Sequence, residues 1–315
     1  TVMNGKVIES PKSFQVAFTI MTQIIAAVAS SQYGGQSVDI RHLGKYLRKS
    51  YNKYKALYQE EFGDRLDADT LEELVKERLN DELRSGVQTI QYQINTLMTT
   101  NGQSPFVTLF LNLDPNDEYI EENAMIVEEI LRQRLEGIKN EVGVYVTPAF
   151  PKLIYVLDEH NCLKGGKYDY ITRLAIKCSA KSMYPDYISA KTMRENYEGN
   201  VFSCMGCRSF LSPWKDENGN YKWEGRFNQG VVSINLPQMG IIANGNEELF
   251  WELMEERLSL CFEALMCRHK ALEGTLSAVS PIHWQYGAIA RLKPGETIDP
   301  LLHNGYSTIS LGYIG

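Results

Sequence analysis

The sequence is poor in the features that mark membrane, secreted and nucleic-acid-binding proteins. No run of about 18 apolar residues occurs, and the first residues, TVMNGKVIESPKSF, lack a basic segment followed by an apolar one, which predicts no membrane partner and a cytoplasmic location. The 39 Asp and Glu residues outnumber the 32 Lys and Arg residues, so the formal charge of −7 argues against a nucleic-acid partner. A local site for a small phosphorylated ligand is still compatible with that charge. Six cysteines in 315 residues are too few for a secreted disulfide scaffold.

Common catalytic motifs are also missing. The sequence contains no HExxH, no GxSxG and no GxxxxGK[ST] segment, which removes the simplest metalloprotease, serine-hydrolase and phosphate-loop interpretations. The histidines are dispersed, and each is more often a surface or structural residue than a catalytic one; they are His42, His160, His269, His283 and His303.

Helical and strand patterns alternate along the chain. Apolar residues at spacings of three and four predict a helix from about Pro11 to Ser31, and a charged helical stretch covers roughly 67–99, with Asp67 or Asp69 available as the N-cap. Buried strands are expected at 106–113 and 152–157, with a helix at 121–140 between them, which makes a βαβ unit. A helix follows near 168–180, then a polar and aromatic loop at 181–200. A strand at 230–240, ended by Pro237, and a long helix at 246–274 complete an α/β pattern with parallel strands.

Four loops rich in glycine are candidates for chemistry, because tight turns and close approach of a ligand both favour glycine. They lie at 33–37 (YGGQS), 203–209 (SCMGCRS), 225–230 (GRFNQG) and 304–315 (NGYSTISLGYIG). No single loop identifies a function.

The two cysteines of the second loop, Cys204 and Cys207, admit three interpretations: a disulfide switch, half of a metal site, or a loop tip that presents one reactive sulfur. Structural zinc needs a second ligand pair, and the other cysteines, at 162, 178, 261 and 267, are dispersed. A thioredoxin-like pair would begin a helix, whereas this segment continues into SFLSPW. The residues alone favour an α/β protein with a reactive cysteine.

Taken together, four motifs resemble those of the anaerobic, class III ribonucleoside-triphosphate reductases, in the family's order and over essentially the whole chain. They are SSQYGGQS, CMGCRSFLSPW, GRFNQGVVSINLPQ and ARLKPGETIDPLLHNGYSTISLGYIG. The resemblance implies a ten-stranded α/β barrel with a finger loop at about 201–212 inside it. Residues 1–315 would be part of this single catalytic domain, with the helices of 1–100 as a dimer or effector region. An upstream regulatory segment and a C-terminal region with zinc and the radical glycine would lie outside this sequence.

The resemblance also implies roles for individual residues. Cys207 would become a thiyl radical that removes the ribose 3′-hydrogen, after oxidation by a glycyl radical on the missing C-terminal region. Met205 would line the reductant pocket, Ser209 would hold the loop tip or meet the ribose hydroxyls, and Asn228 would hydrogen-bond the ribose 2′-oxygen or formate. Without the family, Met205 is equally a core residue and Asn228 most often a turn residue.

The last motif is the expected phosphate neighbourhood. Hydroxyl groups and exposed amides there could bind a triphosphate with its Mg²⁺, and the alternative is a sheet edge rich in Ser and Thr. The residues are Ser307, Thr308, Ser310, Gly312 and Tyr313.

The expected partners follow from the family. They are ribonucleoside triphosphate substrates, nucleoside triphosphate effectors, a radical-SAM activating enzyme and a second copy in a homodimer, with formate as the reductant. The fragment alone is expected to be inactive. Two alternatives stay open: a nucleotide-binding scaffold without catalysis, and a related glycyl-radical lyase. The spacing of Cys204 and Cys207 and the motif around Asn228 favour the reductase over the lyase, because such lyases use adjacent cysteines.

Overall fold

The structure, a computed structural model, describes residues 2–3, 6–7, 9–32, 34–100, 102, 104–204, 210–211 and 213–312. It divides into a larger unit within residues 9–210 and a smaller unit within residues 1–8 and 211–315. The prediction of one barrel domain over 1–315 stays a prediction.

Helices and strands alternate through most of the chain. The helices are α1 (Phe14–Ser31), α2 (Arg41–Phe62), α3 (Ala68–Thr96), α4 (Ile120–Glu136), α5 (Glu159–Cys162), α6 (Asp169–Ser182), α7 (Ala190–Asn196), α8 (Leu236–Ala243), α9 (Glu247–Leu272) and α10 (Pro281–Trp284). The strands are β1 (Val2–Met3), β2 (Lys6–Val7), β3 (Gln36–Asp39), β4 (Val107–Leu111), β5 (Ile138–Lys139), β6 (Tyr145–Val146), β7 (Lys152–Leu157), β8 (Asp186–Ser189), β9 (Phe227–Asn235) and β10 (Gly305–Gly312).

The larger unit is built on a parallel sheet with the strand order β3-β4-β7-β8. Every residue of β4 is buried, as expected for a central strand that is covered on both faces. The predicted βαβ unit is confirmed, because α4 connects β4 to β7 and the two strands pair in parallel, with Leu109 opposite Leu153.

The core of this unit lies between the sheet and its helices. Val107, Leu109 and Leu111 alternate along β4 and belong to the same core as Phe14 and Phe18 of α1, both fully buried. Alpha-helix α3 makes room for these rings at Gly86, where an added Cβ would lie 2.9 Å from Cε1 of Phe14. The aromatic side chains of α1 therefore anchor the helical layer to the sheet.

Side chains from two other helices cap the N-terminus of α1. The Phe14 amide donates to Oγ of Ser50 and the Gln15 amide donates to Oε1 of Glu82, each at 2.9 Å. The exposed amides of the first turn are satisfied in this way, so the helix begins at Phe14 rather than near Pro11. By length and composition α1, with a mean hydropathy of 1.5, could also cross a membrane, but its Phe14, Phe18 and Ile25 are core residues here.

Two parts of the larger unit differ from the sequence-based prediction. Helix α2 was not predicted, because only Leu43, Gly44, Leu47 and Ser50 are buried on a helix rich in Lys and Tyr. The predicted loop at 181–200 is wrong, since it contains β8 and α7. Strand β8 has no apolar run, and its pairing with β7 is what makes it a strand.

The smaller unit pairs β9 with β10 in parallel and packs α9 against β9. The strand ends at Asn235, close to the predicted stop at Pro237, and the proline occupies the first turn of α8, where a missing amide hydrogen costs little. The Asn235 side chain caps α8 through the Gln238 amide at 3.1 Å. The predicted long helix is confirmed as α9, capped by Asn246.

The predicted α/β architecture with parallel strands is confirmed. Within the described residues the sheets are the four-stranded one, the β9–β10 pair and two short antiparallel pairs, and no closed barrel is seen among them. Closure would require a second partner for β3, β8, β9 and β10, each of which has one neighbour in this part of the chain.

Candidate functional site

The residues on either side of the cysteine loop, Phe202 and Phe210, are described and belong to the larger unit. Cys204 is buried, with 2% of its surface exposed. Met205, Cys207 and Ser209, the predicted tip residues, lie outside the described residues. The structure therefore describes how the base of the loop is held.

The base of the loop contacts another of the predicted motifs. Oγ of Ser37, at the end of the YGGQS loop and within β3, donates to the carbonyl oxygen of Cys204 at 2.9 Å. The same carbonyl accepts from Oγ of Ser203 at 2.8 Å. Two motifs that are 167 residues apart in sequence therefore meet at the sheet.

An aromatic cluster connects the residues on the two sides of the loop. The rings of Phe202 and Phe210, which flank the loop on both sides, lie 6.3 Å apart, and Tyr197 contacts both of them, at 4.9 and 6.3 Å. Phe202 is buried. The ring contacts therefore join the residues that flank the cysteine loop on its two sides.

Asn228 lies on β9 beside the start of β10. In the strand register Asn228 is opposite Tyr306, and Ser307 is opposite Gly230, with a bulge between them. Oδ1 of Asn228 accepts from the Gly230 amide at 2.8 Å. This local bond is the turn-type contact expected of an isolated asparagine, and among the described residues no partner is recorded for its exposed amide group.

The predicted phosphate-binding residues lie on β10, next to Asn228, but not all on one face. Side chains alternate along a strand, so Thr308 and Ser310 share one face with Gly312, while Ser307 shares the other with Ile309. Ile309 packs in the small core of this unit, together with Ile234 and α9. Tyr313 lies outside the described residues.

Sequence reasoning missed the contacts that join the third and fourth motifs. Gln229 is the extra residue of the bulge; its amide donates to the Leu302 carbonyl at 3.0 Å, and its Oε1 lies 2.9 Å from Nδ1 of His269. Since the Gln229 amide nitrogen faces a carbonyl, its oxygen faces the histidine, and Nδ1 of His269 is the donor. A Cβ on Gly305 would collide with the Gln229 side chain, so any other residue there would displace Gln229.

Arg226 also connects the start of β9 to the start of β10. Its Nε donates to the Asn304 carbonyl at 2.8 Å, and its guanidinium lies 6.0 Å from the ring centre of Tyr306. Burial lowers the pKa of Arg226 and raises the pKa of Tyr306 to about 12, so the tyrosine is protonated at neutral pH. These contacts join the RFNQG and NGY segments where β9 and β10 begin.

A surface hollow of about 400 Å³ lies at the carboxyl ends of β3 and β4. Arg41, on its wall, forms ion pairs with Asp39 at 2.6 Å and Asp114 at 3.1 Å, so the positive charge there is already compensated. Among the described residues, no group of three His, Cys, Asp or Glu side chains could hold a metal ion.

The fold is that of an α/β protein with parallel strands. The base of a cysteine loop is bonded to one sheet, and a second pair of strands carries Asn228 and the hydroxyl residues of β10. Comparison with known proteins narrows this class. The family model of the anaerobic ribonucleoside-triphosphate reductases matches residues 1–315. The chain belongs to this family.

Relatives and solved structures agree with that assignment. The chain is 42% identical to the anaerobic ribonucleoside-triphosphate reductase of Enterobacteria phage T4 over 98% of this chain and 50% of the relative. It is 38% identical to that of Escherichia coli K12 over 99% of this chain and 43% of the relative. The chain thus spans about half the length of the curated relatives it matches.

The fold resembles solved structures of the anaerobic ribonucleotide reductase from Thermotoga maritima. One, with glycerol in the active site, matches with a TM-score of 0.61 at 13% identity, over 98% of this chain and 46% of that chain. Another, in complex with dATP and CTP, matches with a TM-score of 0.58 at 15% identity, over 97% and 46%. At these identities the likeness concerns the fold.

Proposed function

We propose that this chain is the catalytic core of an enzyme that reduces ribonucleoside triphosphates to deoxyribonucleoside triphosphates by thiyl-radical chemistry. The observation that carries the proposal is the family match over the whole chain, which includes the cysteine loop seated on β3 and the paired strands with Asn228. The complete enzyme would enclose these elements in a ten-stranded barrel within a single catalytic domain.

Cys207 is the hydrogen-abstracting residue, by its place in the motif. The chemistry that a glycyl radical elsewhere in the complete enzyme would supply is the one-electron oxidation of the Cys207 thiol. The sulfur then takes the hydrogen atom from ribose C3′, forming an S–H bond and leaving the unpaired electron on carbon. The 2′-hydroxyl group, once protonated, leaves as water, and the hydrogen atom returns from sulfur to C3′ at the end of the cycle.

Asn228 and strand β10 bind the nucleotide. The Asn228 amide group, which has no recorded partner among the described residues, donates to the 2′-oxygen or to formate, and Ser209 meets the ribose hydroxyls. Thr308 and Ser310, which share a face of β10, donate to the triphosphate that carries Mg²⁺, with Gly312 and Tyr313 at the end of the strand. Ser307 lies on the other face of the strand.

Formate is the reductant. Its oxidation to carbon dioxide supplies the two electrons that convert the 2′-C–OH into C–H and water, so the overall reaction consumes one formate for each nucleotide. Met205 lines the formate pocket. The burial of Cys204 supports formate over a thiol protein, because a thiol that is 2% exposed is poorly placed for disulfide exchange.

The partners follow from the same assignment. The Thermotoga maritima relative was solved with dATP in its specificity site, which supports a nucleoside triphosphate effector site here as well. The helices of residues 1–100 provide the effector region and the homodimer interface. A radical-SAM enzyme activates the complete protein in the cytoplasm, and zinc belongs to the C-terminal region.

The test of this function is Cys207→Ala in the full-length activated enzyme, with Cys204→Ala as the control. We expect Cys207→Ala to abolish deoxynucleotide formation while the glycyl-radical signal and nucleotide binding persist, because the radical is made elsewhere. Cys204→Ala should be milder. Appreciable product from Cys207→Ala would refute the assignment, and a wild-type enzyme that binds nucleotide without turnover would favour the scaffold alternative.

The reductant is tested separately, in an anaerobic assay with isotopically labelled formate. One labelled carbon dioxide should appear for each deoxynucleotide. Full turnover on a thioredoxin or glutaredoxin system, with no formate consumed, would contradict the formate assignment and leave the reductase assignment intact.

A further inference from the structure

The YGGQS loop has no role in the chemistry proposed above, yet its last residue holds the base of the cysteine loop. Ser37 is an intermediate-exposure residue of β3, and its hydroxyl donates to the Cys204 carbonyl at 2.9 Å. This is a side-chain bond from the sheet to the loop backbone, three residues before Cys207.

Ser37 is itself rigidly held. The backbone amide of its neighbour Gln36 donates to the Phe106 carbonyl at 3.0 Å, and the Gln36 side chain donates to the Ile25 carbonyl at 2.8 Å. The residue before it, Gly35, lies against the Phe106 ring, where an added Cβ would be only 2.5 Å from Cδ1. Ser37 then pairs with Thr108 of the central strand β4. The position of its hydroxyl is therefore set by the sheet.

The loop has a second, purely local bond at the same atom. Oγ of Ser203 donates to the Cys204 carbonyl at 2.8 Å, but Ser203 moves with the loop, whereas Ser37 belongs to the sheet. The aromatic contacts among Tyr197, Phe202 and Phe210 join the two loop ends to each other. Among these contacts, the bond from Ser37 is the one that joins the base of the loop to β3.

We propose that Ser37 is a positioning residue for the cysteine loop, which seats the loop base on the sheet and thereby sets where Cys207 presents its sulfur. The proposal rests on the proposed function, because it concerns the same loop. Hydrogen-atom transfer depends steeply on the distance between the sulfur and the ribose carbon. A displacement of about 1 Å in such a reaction costs on the order of 100-fold in rate.

The variant that tests the role is Ser37→Ala in the full-length enzyme, with Thr108→Val as the matched control. Thr108 is the register partner of Ser37 and is fully buried, and no hydrogen-bond partner is recorded for its hydroxyl, so its replacement removes a similar group without touching the loop. Ser37→Thr, which keeps a hydroxyl, is the rescue variant. Ser37→Cys, a weaker donor of similar size, is a milder variant in case Ser37→Ala does not fold.

The turnover readout separates positioning from stability. We expect Ser37→Ala to lower kcat by about 10- to 100-fold with a smaller change in KM, because the loop is displaced while the face of β10 that binds the triphosphate is not. The deuterium isotope effect on kcat with substrate labelled at ribose C3′ should rise, since hydrogen abstraction becomes slower relative to the other steps. Thr108→Val and Ser37→Thr should resemble the wild type, and Ser37→Cys should lie between.

A second readout does not depend on catalysis. In a Cys207→Ala background, alkylation of the buried Cys204 thiol reports release of the loop base, with the buried Cys178 as an internal reference. Loss of one hydrogen bond should speed Cys204 alkylation by about fivefold. The Thr108→Val control should leave it unchanged.

The two readouts decide the proposal between them. Unchanged Cys204 alkylation in Ser37→Ala would refute the anchor, whatever happens to turnover. Faster alkylation with unchanged kcat and isotope effect would refute the positioning role. Failure of the proposed function itself is recognised differently, by deoxynucleotide formation in Cys207→Ala, and the alkylation comparison would still decide whether Ser37 anchors the loop.

Discussion

The two parallel sheets among the described residues contain similar apolar sequences but bury them very differently. Strand β4 of the larger unit is buried at every residue, whereas β9 of the smaller unit buries only Ile234 below a tenth of its surface, and Val231 is 45% exposed. The first strand is covered on both faces by the larger unit. The second has one face on α9 and a single neighbouring strand.

The helices of the two units show the same difference in burial. On α1 an apolar stripe with Phe14 and Phe18 is buried in the core, while α9 buries only Cys261 and Leu265 and leaves Trp251 and Phe262 more than half exposed. Burial of a Leu or Phe side chain contributes about 1.5–3 kcal/mol, so exposed apolar residues contribute little. In these strands and helices, an apolar pattern predicts the type of the element more reliably than it predicts how much that element contributes to stability.

The sharpest test compares the same residue type in the two sheets. Leu109→Ala on β4 removes a side chain that is 1% exposed and should destabilise the larger unit by about 2–5 kcal/mol. Leu311→Ala on β10, where the side chain is 44% exposed, should cost less than about 1 kcal/mol. Urea titrations followed by hydrogen exchange in each unit measure both changes. Equal losses would contradict the comparison.

Alanine substitutions at two helical glycines should change the stability of the two units in opposite directions. Gly44 of α2 lies against α4, where an added Cβ would be 2.6 Å from Oδ1 of Asn123, so Gly44→Ala should destabilise the larger unit by about 1–3 kcal/mol. Gly240 of α8 has no atom within 4 Å of that position, so Gly240→Ala should stabilise the smaller unit by about 0.5–1 kcal/mol. Thermal unfolding of the two variants measures the signs. A stabilising Gly44→Ala would show that the helices are more loosely packed than the structure indicates.

The smallest expected effect concerns pH. Burial lowers the pKa of His283 in the smaller unit, so the unfolded chain takes up a proton at a higher pH than the folded one, and stability falls as pH decreases below about 6.5. In the larger unit, the hydrogen bond from Arg194 lowers the pKa of Asp158. The contribution of this ion pair to the stability of the folded state therefore persists until the pH falls below about 4. Hydrogen exchange between pH 7 and 5 should therefore show the smaller unit weakening first. His283→Asn should flatten that dependence, and an unchanged slope would refute the assignment.

Sequence patterns predicted the elements whose burial is periodic or complete. Strand β7 was predicted with its observed bounds, and α3, with Asp67 as its N-cap, and α9 were predicted within a few residues. The elements that were missed have weak patterns. On α2 the buried stripe is narrow, and β8 alternates without an apolar run, so both depend on neighbours that the sequence does not reveal.

In the candidate site, too, some features could be predicted from the sequence and others could not. The four motifs, and with them Cys207, Asn228 and the hydroxyls of β10, could be singled out from the sequence because glycine, cysteine and hydroxyl residues cluster in them. The contacts between motifs could not be predicted. The bonds from Ser37 to Cys204 and from Gln229 to Leu302 join residues 167 and 73 positions apart, and no local pattern encodes such a pairing.

The α/β class, the order of the main elements and the family could be inferred from the chain alone, because periodicity, caps and motif spacing are local properties. Three features needed the folded structure: which apolar residues are buried, that Ser307 and Thr308 face opposite sides of β10, and that the base of the cysteine loop is bonded to β3. Burial and strand register arise from contacts between distant segments, and their free energy depends on what lies opposite each residue.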